Sequence, residues 1–348
     1  MTLAGRACVR QRIAIGQRTR THTHRRCGRR IGQAFTVRAT SWHDQVIRPH
    51  LGHVDRLGSV DITEDLVHRL VTDQFPQWSH LPIRAVVMQG NDNRTFRLGD
   101  HLALRLPSHE SYVAAISKED RFLPLLAEHL SVPVPVPVAT GHPTAEYPCP
   151  WAVRHWLPGD APGRDPHLDR ARFASDLGGF LHELRTVPAR DGPTAGRHCF
   201  YRGCHPSVYG DQVQKALIAL ADQVDVDACK AMWRAALRSV WSTAPVWFHG
   251  DVAVGNLLTS EGQLSGVIDF GTCGIGDPAC DLVIAWTFLR GHERQIFREA
   301  LGLPDDAWAR ARGWALWKAL ITMTEAESPG YETQAHTLVE LLEEPVGA

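Results

Sequence analysis

The chain lacks any run approaching the roughly 18 uninterrupted apolar residues that a membrane-spanning helix requires, so a transmembrane span is not expected. Cysteine is also scarce. Eight in 348 residues are too few to build a disulfide scaffold. Acid is nearly missing from residues 1–50, which hold eleven arginines and only Asp44 on the acidic side, a local charge of +10. The remaining residues hold 26 basic and 37 acidic side chains, a balance of −11, so the net charge of −1 describes neither part. The basic segment, RTRTHTHRRCGRRIG at its centre, also lacks a helical or strand period, and is expected to be a disordered extension or residues upstream of the true start. A nucleic-acid-binding arm is the distant alternative, because clustered arginine releases phosphate counterions. Arg29 and Arg30 form a twin-arginine pair, but no apolar targeting segment of the needed length follows. An acid-poor, arginine-rich composition also fits an organellar transit peptide, with little else in support.

What is present is ordinary for a globular protein: 44% hydrophobic and 22% charged residues, over a length that suits two lobes. A helix is predicted from Thr63, an N-cap followed by Glu64 and Asp65, with Leu66, Val67, Leu70, Val71 and Phe75 as its apolar face and Pro76 as its end. Strands are predicted over 83–88, 94–106 (around a Leu98-Gly99-Asp100 turn) and 151–157, and a helix over 111–130 that Pro124 should distort. The alternating Val-Pro run 132–138 reads as a stiff extended connector. Beyond Pro158 the pattern turns helical, over 168–186, 211–221, 226–241, 279–290, 293–301, 305–324 and 333–344. Two short strands, 246–248 and 264–268, interrupt it. The expected class is α+β, with a small β-rich part at 60–157 and a larger helical part at 158–348.

The informative segment is Phe248-His249-Gly250-Asp251-Val252-Ala253-Val254-Gly255-Asn256, followed by Val267-Ile268-Asp269-Phe270-Gly271. A strand delivers a His-Gly-Asp turn, an amide follows five residues after Asp251, and a short hairpin returns on a strand ending in Asp269. Three oxygen-bearing side chains can converge at one loop. Phosphoryl transfer needs this inventory: one carboxylate to orient the attacking hydroxyl and take its proton, a second carboxylate and an amide oxygen to hold Mg²⁺ on the nucleotide phosphates.

HGDxxxxN followed by IDFG resembles the signature of the aminoglycoside phosphotransferase family, whose fold is similar to that of protein kinases. Gly276-Asp277-Pro278-Ala279-Cys280-Asp281-Leu282 is similar to that family's GDPAxDL segment. The resemblance implies a protein-kinase-like bilobal fold, with 60–157 as the nucleotide-binding lobe and 158–348 carrying the catalytic loop and acceptor site. It implies Asp251 as catalytic base, Asn256 and Asp269 as Mg²⁺ ligands, and ATP or GTP as co-substrate. Asn93, in the turn Gly90-Asn91-Asp92-Asn93, falls where the family covers the nucleotide. Arg105 would contact phosphates and pair with Glu119, Glu110 and Asp120 being alternatives; arginine suits the role through its fixed charge and bidentate geometry. Residues 151–159 resemble the segment joining the lobes. His249 is expected to hold the loop rather than carry phosphate, and Asp277 and Asp281 to anchor local structure.

The acceptor expected is a small-molecule hydroxyl, first an aminoglycoside-type antibiotic, with macrolides, choline-like amines and homoserine-like amino acids as alternatives. Glu325 and Glu327 could favour a polycation, and the late tryptophans an apolar ring system. A cytoplasmic location, where ATP and reduced thiols coexist, and no nucleic-acid or membrane partner are expected. A silent kinase fold is the competing class, against which the three intact polar positions argue. The cluster His198-Cys199-x4-Cys204-His205 superficially suggests zinc, but its spacing fits no common finger.

Overall fold

The computed structural model describes residues 60–344 except Met88 and Asn91. The basic segment 1–50, and with it the expectations placed there, lies outside the described residues, as do two positions of the predicted 83–88 strand and the turn after it. Helix α1 spans Glu64–Gln74, and the Thr63 hydroxyl accepts from the Leu66 amide at 3.3 Å. Its Leu66, Val67, Leu70 and Val71 are buried, as the periodicity predicts.

Five antiparallel strands follow: β1 (Ile83–Ala85), β2 (Asn93–Leu98), β3 (Leu102–Pro107), β4 (Pro137–Gly141) and β5 (Trp151–His155), in the order β1-β2-β3-β5-β4. The β2–β3 hairpin turns at Gly99, whose φ of 57° is the left-handed geometry glycine tolerates. The Val-Pro connector does not stay wholly outside the sheet, because its last proline begins β4. That strand lies at the sheet edge, where a missing N–H costs no ladder bond.

Helix α2 (Val113–Ala127) is shorter than the 111–130 expected and follows a 3-10 turn at Glu110–Tyr112, with Pro124 inside it. The larger part contains α3 (Arg170–Thr186), α4 (Gly210–Ala219), α5 (Val226–Ala236), strands β6 (Val246–Phe248), β7 (Leu257–Ser260), β8 (Gln263–Val267) and β9 (Gly274–Gly276), then α6 (Ile284–Thr287), α7 (Gly291–Leu301), α8 (Asp305–Met323) and α9 (Tyr331–Glu343). The long helix expected over 279–290 is instead a 3-10 stretch, Pro278–Val283, before the short α6. Asp277 caps this stretch through the Ala279 amide, while the Asp281 carboxylate faces the loop after β6. Strand β9 pairs with β6 and was not foreseen, because two glycines in three residues carry no strand signal.

One apolar cluster joins α1 to the sheet through Leu66, Val67, Phe96, Leu104, Trp151 and Val153. The second fills the helical part, and α2 contributes Phe122, Leu123 and Leu126 to it. Helix α8 is buried nearly all round, as befits the central helix of a large core.

Candidate active site

Buried Phe248 ends β6 and delivers His249-Gly250-Asp251. The His249 and Gly250 amides donate to the two oxygens of the buried Asp281 carboxylate at 2.8 and 2.7 Å. Asp281 therefore anchors the loop backbone. Gly250 has φ 87°, and a Cβ there would stand 2.7 Å from the Thr272 carbonyl, so only glycine fits. The Thr272 hydroxyl donates to the His249 carbonyl at 3.0 Å.

The His249 ring accepts the Asp251 amide at Nδ1 (3.2 Å), which puts the proton on Nε2, facing the Ile268 carbonyl at 3.0 Å. With both nitrogens committed and no solvent exposure, the ring ties the two strands of the loop together. Asp277 accepts from the Ala279 amide at 3.1 Å and from the Arg310 guanidinium of α8 at 2.7 Å. Burial raises the carboxyl pKa of both Asp277 and Asp281, Arg310 opposing the rise at the first.

Asp251 accepts from the Asn256 amide at 3.0 Å, and the same NH₂ reaches the Asp251 carbonyl at 2.9 Å. That fork spends the Asn256 nitrogen on Asp251 and turns its carbonyl oxygen away, available to a cation. Asp269 occupies the left-handed region at φ 67° and accepts from Arg105 at 2.6 Å. Arg105 also donates to both oxygens of Glu119, at 2.9 and 3.2 Å. Burial opposes the Arg105 charge, but the Glu119 and Asp269 carboxylates outweigh it and raise the guanidinium pKa. Of the three acids weighed as its partner, Glu119 is the one that meets it. Asp120 takes a hydroxyl bond from Thr140 at 2.7 Å and ion-pairs with Arg154.

Two cavities meet at this junction. One, of about 450 Å³, runs from Arg154–Leu157 to Asp92, Asn93, Arg105, Asp251, Asn256 and Asp269. The other, of about 1230 Å³, shares Asp92, Asn93 and Asp269 with it and opens toward α2 and the segment 197–209. Asn93, Arg105, Asp251, Asn256 and Asp269 all line the first cavity, and Glu119 stands behind Arg105.

Three contributors were given no role of their own from the sequence. Asp92 enters the junction, where burial first, then the Asp269 and Asp251 carboxylates, hold its pKa well above the usual carboxylate range. Arg154, fully buried in β5, lies 3.5 Å from Glu119 and pairs with Asp120, extending the Glu119–Arg105–Asp269 chain of charges by one member. Its only sequence signal is a lone arginine in an otherwise apolar strand. Lys318 of α8 feels the Asp251 charge, although burial lowers its pKa.

Three of the four apparent zinc ligands are engaged otherwise. His198 faces the Thr194 carbonyl at 2.9 Å and Lys118 at 3.2 Å, the Cys199 thiol donates to the Gly196 and Arg202 carbonyls, and His205 faces the Ser239 carbonyl at 3.1 Å. Cys273 and Cys280 are buried, and burial pushes the Cys273 thiol up to about 12. Among the described residues, no helix is long and apolar enough to cross a membrane.

A family model, the phosphotransferase enzyme family, matches residues 85–314. The chain belongs to that family. A curated relative, an aminoglycoside 3'-phosphotransferase of Escherichia coli, is 42% identical over 52 residues, which is 15% of this chain and 19% of that protein, so the match spans about a fifth of that relative's length. The GDP complex of an aminoglycoside 2'-phosphotransferase-IIIa superposes with a TM-score of 0.59 at 19% identity, over 81% of this chain and 98% of its own. The macrolide 2'-phosphotransferase of Brachybacterium faecium superposes with a TM-score of 0.56 at 20% identity, over 81% and 98%. The phosphotransferase therefore has the kinase-like α+β fold that the motifs imply.

Proposed function

We propose that this phosphotransferase moves the γ-phosphoryl group of ATP or GTP to a hydroxyl of a small molecule in one direct, Mg²⁺-dependent displacement. The observation that carries the reading is the convergence of Asp251, Asn256, Asp269 and Arg105 on the smaller cavity, with Asp269 also lining the larger one. Nucleotide occupies the smaller cavity, its base toward residues 154–157 and its phosphates toward Arg105. The acceptor occupies the larger one.

The acceptor oxygen attacks the γ-phosphorus, the new O–P bond forms, and the bond from phosphorus to the β,γ-bridging oxygen breaks. The hydroxyl proton passes to Asp251, and the nucleoside diphosphate leaves with the electron pair. The Asn256 amide aims the Asp251 carboxylate. Arg105, fixed by Glu119, receives phosphate oxygens through a planar, permanently charged fork.

The donor set fits Mg²⁺. Asn256 has its oxygen turned away from Asp251, Asp269 supplies a carboxylate, and the nucleotide phosphates and water complete a hard-oxygen shell. When bound, the ion neutralises charge on the phosphates. Among the described residues there is no group of three or more His, Cys, Asp or Glu side chains that would form an all-protein cage, which suits an ion brought in with nucleotide.

The solved relatives include complexes with aminoglycosides and a macrolide phosphotransferase, which supports a ring-borne hydroxyl as acceptor. A cytoplasmic setting, where the donor nucleotide is abundant, suits this reading. The test is thermal unfolding with Mg²⁺ plus ATP or GTP, since a ligand of the folded state raises the midpoint by mass action. Wild type and Asp251→Ala should both shift with nucleotide, and Asp269→Ala should shift little. No shift of the wild type with either nucleotide would remove the reading.

A further inference from the structure

The larger cavity has a wall unlike the junction it adjoins. Phe200, Tyr201 and Tyr209 line it on one side and Tyr112 on the other. Phe200 and Tyr201 both sit in the left-handed region, with φ of 48° and 55°. Bulky side chains rarely adopt that geometry even singly. The surrounding structure holds it: the Tyr201 amide donates to the Gly196 carbonyl at 2.8 Å, and the Phe200 carbonyl accepts from the Tyr209 hydroxyl at 2.7 Å and from Arg202 at 2.8 Å. Arg202 in turn lies 5.2 Å from the Trp317 ring centre, and Tyr209 stacks on that ring at 4.1 Å. The strain ends in display. Tyr201 is 43% exposed and its neighbour across the rim, Val208, 45%.

The charge of this wall is equally particular. Among the described residues, the carboxylates lining the cavity are Asp92 and Asp269, both at the shared edge, and Asp269 already receives Arg105 at 2.6 Å. The remaining charge is positive. Arg197 lines the cavity, and the Lys118 ammonium lies 3.2 Å from the His198 ring beside it. Behind the wall, the Arg202 guanidinium stands against the Phe200 carbonyl and the Trp317 ring. Glu325 and Glu327, which could have favoured a polycation, are exposed and line neither cavity. The late tryptophans are buried and do not line the cavity; Trp314 and Trp317 support the loop from beneath.

A polycation seated on this wall would meet Arg197, with the lining carboxylates Asp92 and Asp269 set apart at the nucleotide edge and Asp269 already paired with Arg105. A ring would meet aromatic faces, whose polarisable surface favours stacking. We propose that the acceptor is a ring-bearing alcohol of zero or negative charge, seated against Phe200, Tyr201 and Tyr209, and that the strained turn at 200–201 sets this preference. The inference rests on the phosphotransferase reading and narrows the acceptor away from the aminoglycoside class.

The test uses the full chain with Mg²⁺ and each of ATP and GTP. The acceptor probes are p-nitrophenyl β-glucoside (neutral), p-nitrophenyl β-glucuronide (anionic) and kanamycin (polycationic), read by calorimetric binding and by diphosphate release. The glucoside or glucuronide should bind about tenfold more tightly than kanamycin, and Tyr201→Ala should raise its KM about tenfold without moving the nucleotide KM. Arg197→Glu combined with Lys118→Glu should reverse the order of glucuronide and kanamycin. Three results would overturn the proposal: tighter binding of kanamycin by the wild type, equal movement of nucleotide and acceptor KM in Tyr201→Ala, or no binding of either neutral or anionic ring while Mg²⁺-nucleotide binds. Failure of the underlying reading looks different, because then Mg²⁺-nucleotide itself would not bind.

Discussion

The segments 246–281 and 196–205 approach the junction of the two cavities from different sides and are held by different physics. In the first, buried polar groups fix the backbone. Asp281 takes two consecutive amides, His249 bridges two strands, Thr272 closes on the His249 carbonyl, and Asp277 is pinned by Arg310. In the second, the backbone is held out of its comfortable range so that aromatic side chains face a cavity. The difference teaches a division of labour. Phosphoryl transfer asks for fixed oxygens at fixed places, whichever alcohol arrives, and a rigid hydrogen-bonded loop supplies them. Recognition of the alcohol asks for a surface that can diverge, and a strained loop on a firm base supplies that.

If the first segment carries the chemistry, its substitutions should act on turnover. Asp251→Ala should lower kcat by roughly 10²–10⁴-fold, the usual worth of a positioned base, while nucleotide affinity holds; rapid-quench assays against equilibrium binding separate the two effects. Its anchors should act on stability. Arg310→Met leaves the Asp277 carboxylate buried without its partner, and should cost about 3–5 kcal/mol in urea unfolding, the range for breaking a buried pair. A cost under about 1 kcal/mol, the worth of a surface pair, would mean that Asp277 is not held as described.

The second segment should answer in the opposite sense. Tyr201→Gly relieves a left-handed side chain and removes little buried surface, so it should stabilise the fold by about 1 kcal/mol while weakening acceptor use. A loss of stability on the same scale would show that the turn is not strained for function. The smallest effect concerns thiol access. At pH 8, iodoacetamide should label half-buried Cys204 before Cys273 or Cys280, which burial both hides and keeps protonated. Equal labelling rates, followed by peptide mass mapping, would erase the contrast between the segments.

The same division explains what the sequence made legible. Asp251, Asn256 and Asp269 stand close together in the chain on a strand, a turn and a hairpin, so local spacing brings them into one site. Arg105 and Glu119 depended on the resemblance, because a strand-to-helix pairing leaves no periodic trace. The roles of Arg154 and Arg202 were not legible for a further reason: each is defined by partners brought in by packing, Asp120 and Glu119 for one, the rings of Trp314 and Trp317 for the other. The helix expected at 279–290 failed because apolar spacing cannot register that Asp281 is needed by the amides of a different loop. The acceptor class was the least legible part, since relatives share the transfer machinery more readily than the wall opposite it.

The account turns on transfer at the shared edge of the cavities, and ³¹P NMR tests it most directly. The protein is incubated with Mg²⁺, ATP or GTP and the neutral and anionic ring alcohols, and the spectrum is followed for a phosphomonoester resonance growing with the diphosphate. The account predicts that this resonance appears with the wild type and is nearly absent with Asp251→Ala at saturating nucleotide. A phosphomonoester formed at the same rate by Asp251→Ala, or nucleotide bound tightly by the wild type with none formed on any ring alcohol, would contradict it.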